Sequence, residues 1–154
     1  MSARTWLRAG LAFLAAAQFA VGCWALVFPR SFFAIPWVGM HMPYNAHLMM
    51  DYGAMSLATS VVLGVSAVVV HRGMVRTALA VYLVFAVPHL AIHISLMHHL
   101  EPGQRAPLLI ALTMAVAIPL ALLPLTGRHL EDRQRDSVLT LRPPARGRDH
   151  SSTD

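Results

Sequence analysis

His47 with Asp51, and His89 with His93, form two pairs at four-residue spacing, and these are the residues best placed to do chemistry. On an α-helix that spacing puts both side chains of a pair on one face. Each pair sits inside a long apolar stretch. An ionisable group costs about 2.5–3.5 kcal/mol at the centre of a spanning helix on insertion scales, so it normally faces protein and has a task. Imidazole nitrogens and a carboxylate oxygen together suit a divalent transition metal such as zinc, copper, iron or nickel, and paired His at i,i+4 is a proven ligand geometry. The same groups could relay protons or ions, as intramembrane Asp and His often do. They could also do no chemistry, with Asp51 and His93 hydrogen-bonding to tie two helices together in a membrane subunit or scaffold. A haem on His89 or His93 ranks below a simple ion, because one four-helix chain offers no clear second axial ligand.

Around these pairs stand His98, His99 and Glu101, with His41 in the loop before His47. Met40, Met42, Met49, Met50 and Met97 lie nearby in sequence. Their thioethers favour Cu(I), but Met also fills apolar gaps routinely. The single cysteine, Cys23, excludes an intramolecular disulfide and any Cys-based cluster. There is no phosphate-binding Gly loop, no Ser nucleophile motif and no acidic pair of the hydrolase type.

Four apolar stretches, 9–28, 46–70, 77–100 and 106–125, must position these groups. A bilayer core takes about 20 apolar residues per helix, so the first and fourth fit, and the slightly longer second and third imply tilt or projecting ends. Only 12% of the 154 residues are charged, against about 25% in soluble domains. The reading is all-α: a four-transmembrane-helix bundle over 1–125, followed by a disordered, basic cytoplasmic tail over 126–154. Arg4 and Arg8 with an apolar run to Val21 imitate a signal peptide, and Ala20-Val21-Gly22 before Cys23 loosely resembles a lipoprotein cleavage site. That site lacks the usual leading Leu, and three spans follow, so an uncleaved first helix is expected.

The net charge of +5 does not indicate nucleic acid. Arg4, Arg8, Arg72 and Arg76 flank spans on one side, together with the tail arginines Arg128, Arg133, Arg135, Arg142, Arg146 and Arg148. Arg30 and Arg105 alone fall on the other. Positive residues mark the cytoplasmic side, so both termini are expected inside the cell membrane. The partners expected are the lipid bilayer and either another membrane protein or further copies of this chain.

The loop over 29–45 is distinctive. Phe32, Phe33, Trp37 and Tyr44 sit among Pro36, Gly39 and Pro43, which forbids one regular helix. Its rings suit the outer interface as an anchor, the preferred reading, or could form a lid over the bundle mouth. Asn45 is a candidate N-cap for the second helix. Gly53, Ser56, Ser60 and Gly64 then recur at three- or four-residue spacing and invite a close neighbour helix. Pro88 should interrupt the third helix just before His89, and Glu101-Pro102-Gly103 should end it. At a rise of ~1.5 Å per residue, Asp51 lies about 8 Å, His93 about 9 Å and His89 about 15 Å below the expected helix ends, so Asp51 and His93 can share a level.

The segments Pro43-Tyr44-Asn45-Ala46-His47-Leu48-Met49-Met50-Asp51-Tyr52-Gly53-Ala54 and Val84-Phe85-Ala86-Val87-Pro88-His89-Leu90-Ala91-Ile92-His93 resemble small four-helix integral membrane proteins of actinobacteria. Their architecture is similar to the DoxX-like group. The shared pattern is Asn45, His47, Asp51 and Gly53, then Pro88, His89 and His93, and the resemblance covers roughly 13–125. It implies a four-helix membrane fold and an association with membrane redox processes. The chain departs from that implied chemistry in having only Cys23 and no thiol pair.

Overall fold

The computed structural model describes residues 2–127, so all but the first two residues of the tail expected over 126–154 lie outside the described residues. The described chain is helical, without strands, and four of its helices are long and apolar enough to cross a bilayer.

Helix α1 (Ala3–Val27) starts six residues before the hydropathy stretch because Ser2 caps it, its hydroxyl accepting from the Thr5 amide at 3.3 Å. It stops as expected ahead of Pro29. That proline opens a short α2 (Pro29–Phe33), and Pro36 opens a shorter α3 (Pro36–Gly39), the N1 position proline tolerates best. Met40 and His41 follow in left-handed backbone at φ 47° and 57°. They turn the chain toward α4 (Ala46–Val69), whose cap is Asn45, accepting from the Leu48 amide at 3.1 Å.

Helix α5 (Arg72–Ser95) differs from expectation at both ends and in the middle. It runs through Pro88 without interruption; the ring removes the hydrogen bond that the Val84 carbonyl would accept, yet the helix continues on both sides. It ends at Ser95, and a 3₁₀ turn, Met97–His99, completes the stretch expected to be helical to 100. Pro102 begins α6 (Pro102–Leu122) rather than merely terminating α5, and a second 3₁₀ turn, Pro124–Thr126, ends the described chain.

The most extensive helix contact is α1 against α4. Gly22 and Gly53 make it possible. A Cβ on Gly53 would lie 2.6 Å from the Leu26 backbone nitrogen, and one on Gly22 would lie 2.9 Å from the Gly53 carbonyl. Ser56 and Ser60 are buried along the same α4 stripe, so the small-residue spacing does admit a close neighbour.

Two cross-links gather one end of the bundle. Arg8 Nη2 donates to the Val68 carbonyl at 3.1 Å, and Arg76 Nε donates to the Thr126 hydroxyl at 2.9 Å. The start of α1, the α4–α5 turn and residue 126 therefore share an end, while α2, α3 and Met97–His99 occupy the other. The main core fills the arginine-rich half with Leu7, Leu11, Leu63, Val75, Leu79 and Leu122. A smaller cluster of Met40, Leu100 and Leu108 seals the opposite end. The outward faces are largely apolar, Phe13, Phe19, Val61, Val84 and Ile110 among them. A soluble surface rarely carries so continuous an apolar area, and here it matches a lipid bilayer.

Candidate functional site: an aromatic cavity holding two histidines

Between the two cores lies a cavity of about 450 Å³ to which all four long helices and the α2–α3 segment contribute. α1 supplies Val21 and Trp24, α4 supplies Met49 and Tyr52, and α6 supplies Leu108, Ala111 and Leu112. From α5 come the only imidazoles in the lining, His89 and His93. Phe32, Ile35, Trp37 and Val38 complete the lining, so the aromatic loop forms part of the wall of this site. Within that loop, Tyr44 packs edge-on against Phe33 at 5.3 Å and under the Arg30 guanidinium at 5.2 Å.

A row of rings runs through the site. Trp24 meets Phe32 edge-on at 5.7 Å, and its indole N–H donates to the Ser31 hydroxyl at 3.3 Å. Phe32 lies near-parallel to Tyr52 at 5.9 Å, and Tyr52 near-parallel to His89 at 6.3 Å. Phe85 stacks on His89 at 4.9 Å, one turn earlier on α5. His93 meets His89 edge-on at 4.5 Å, as their i,i+4 spacing requires. The Nδ1 atom of His93 is buried without a hydrogen-bond partner among the described residues.

The structure splits the four residues singled out by sequence. His89 and His93 enter the cavity; His47 and Asp51 do not. The latter pair is joined, Nε2 to Oδ2 at 3.4 Å, but its side chains are 86% and 64% exposed, on the outside of α4. Asp51 is therefore not opposite His93. Two facts account for this. α5 ends at Ser95 rather than near 99, which raises His89 to about 9 Å below its helix end. That is the level of Tyr52, six residues beyond the Ala46 start of α4, and Tyr52 rather than Asp51 turns toward α5. Among the described residues, no three His, Cys, Asp or Glu side chains converge as a metal-ligand group. His98 and His99 stack on each other at 3.9 Å, and each Nδ1 lies within 3.2 Å of a backbone carbonyl one turn back.

Trp24 and Tyr52 join the site without having been expected there, and Phe32 was expected only as part of the loop weighed as an anchor or a lid. A helical wheel would have found Tyr52: Asp51 lies two residues before Gly53, about 200° around the helix from the packing stripe, whereas Tyr52 borders it. Comparison with family models, with curated proteins and with solved structures finds no match to this chain.

Proposed function

We propose that this chain is a multi-pass protein of the cell membrane, with both termini cytoplasmic, that takes a small apolar molecule into its outer-end cavity and holds it against His89 and His93. The orientation is supported by Arg4, Arg8, Arg72 and Arg76 at the end shared by the termini, against Arg30 and Arg105 at the other. One conjunction carries the functional reading: an apolar, ring-lined cavity of about 450 Å³, within the ~300–1,000 Å³ range of small-molecule sites, and in its lining His93, whose Nδ1 is buried and has no partner among the described residues. A buried polar atom left unpaired costs about 1–3 kcal/mol, and a ligand group that hydrogen-bonds to it removes that cost. The lining carries no Arg, Lys, Asp or Glu, so the ligand is uncharged. The membrane redox process implied by the DoxX-like resemblance would then act on the molecule held here.

Protein purified with its native lipid and examined by native mass spectrometry tests the reading. Retention of a small molecule should disappear in Ala111→Trp, which fills the cavity, and fall about tenfold in His93→Leu, which removes one hydrogen bond. Undiminished retention in Ala111→Trp would overturn it.

The unpartnered Nδ1 beside His89 also favours a second reading: a divalent transition metal on the His89/His93 pair, completed by the bound molecule or by a partner chain. Elemental analysis separates the two. Stoichiometric metal that is lost in His89→Ala and His93→Ala supports the metal; traces unchanged by both substitutions dismiss it.

A further inference from the structure

We infer that the molecule held by this cavity enters sideways from the lipid, through a gap between α1 and α6. It is accordingly a lipid-soluble compound dissolved among acyl chains, not a solute taken from water. The inference rests on the reading of the cavity as a ligand site and adds the ligand's class and its route. The cavity is open rather than enclosed. Trp24, Trp37 and Ala111 are the exposed members of its lining, the two indoles at 44% and 42%. They stand on α1, α3 and α6. The members from α4 and α5, namely Met49, Tyr52, His89 and His93, are all half-buried. The opening therefore lies on the α1–α6 side.

That side is shut at both ends. Towards the arginine-rich end α1 and α6 touch, where a Cβ on Gly10 would lie 2.7 Å from a Leu122 methyl carbon. Val116 and Ile118 pack onto the main core just above that contact. At the opposite end, Met40, Leu100 and Leu108 form their buried cluster, and α3 packs against α6. What remains is a lateral gap flanked by Trp24 and Ala111. These lie roughly 5 and 14 Å inside their helix ends at ~1.5 Å per residue. One leaflet's share of a ~30 Å hydrocarbon core covers that depth. An uncharged apolar compound favours this layer over water by about fourfold for each CH₂ group it carries. The gap thus faces the reservoir of such compounds, and the same layer turns away charged solutes.

Nitroxide labels inside the cavity test the route. Met49→Cys and, independently, Leu112→Cys are labelled in a Cys23→Ser background, as full chain in lipid nanodiscs whose thermal midpoint shows the protein folded. Collisions are measured with oxygen, which concentrates in lipid, and with the neutral nickel ethylenediaminediacetate complex, which stays in water. Both labels should meet oxygen as readily as a label at the outward-facing Val61→Cys, and the nickel complex should reach none of the three. Adding Ala111→Trp should abolish the oxygen contact at Met49→Cys and leave that at Val61→Cys unchanged. Nickel contact exceeding oxygen contact at either cavity label would reveal a mouth to water and overturn the lateral route. So would cavity labels that neither reagent reaches, or oxygen contact at Met49→Cys that Ala111→Trp leaves intact. In each of these cases, a small molecule whose retention still disappears in Ala111→Trp keeps the ligand site standing. Retention that survives Ala111→Trp removes the site together with the route.

Discussion

The two imidazoles differ in how they are supported. His89 is flanked by Phe85, Tyr52 and His93 rings, whereas His93 keeps one nitrogen buried and unpaired. Replacement of His93 should therefore lose a polar contact, and His93→Gln, whose amide both donates and accepts, should recover part of what His93→Leu loses. His47 and Asp51 should behave differently. Because they pair with each other on the exposed side of α4, His47→Ala and Asp51→Asn should leave ligand retention within about twofold, an exposed pair being worth ~0–1 kcal/mol. A large loss in either variant, read by the same native mass spectrometry, would place that pair in the site after all. Spacing made both pairs legible in the sequence, since i,i+4 geometry is set within one helix. Which pair turns inward depends on how two helices meet, and that was not legible from either helix alone.

Among the elements, the α1–α4 crossing makes the sharpest distinction between two glycines. Gly53→Ala would press a methyl group to 2.6 Å from the Leu26 backbone nitrogen, and backbone cannot swing aside as a side-chain tip can. A destabilisation of about 1–3 kcal/mol is expected, measured by denaturant unfolding in micelles. At Gly64 the nearest atom to an added Cβ is the Ala15 methyl at 4.0 Å, an ordinary contact. Gly64→Ala should be neutral or stabilise by up to about 1 kcal/mol, since alanine loses less backbone entropy in a helix. Equal effects at the two positions would contradict the crossing described. The α4 side of this crossing was readable as a stripe of small residues, but Gly22 was hidden in an alanine-rich helix where small residues mark no single face. Helix ends were missed where polar capping, as at Ser2, extends a helix beyond its apolar run.

For the molecule as a whole, the arginines gathered at the end shared by both termini predict which side of the membrane that end faces. A green fluorescent reporter fused after residue 154 should fluoresce, and alkaline phosphatase at the same point should be inactive, because the arginine-rich end is expected in the cytoplasm. The reverse pattern would invert the topology. The four spans were plain in the sequence because hydropathy and charge are properties of a linear string. The cavity was not, because it exists only where the four long helices and two short ones come together. This bears on how the protein is made. Its tightest pair, α1 with α4, is complete once the first 70 residues have entered the bilayer, but the imidazoles and the α6 wall arrive afterwards. The early pair is a template on which the binding site is assembled last. Nascent chains arrested after α4 should already hold their glycine crossing while having nothing with which to capture a ligand.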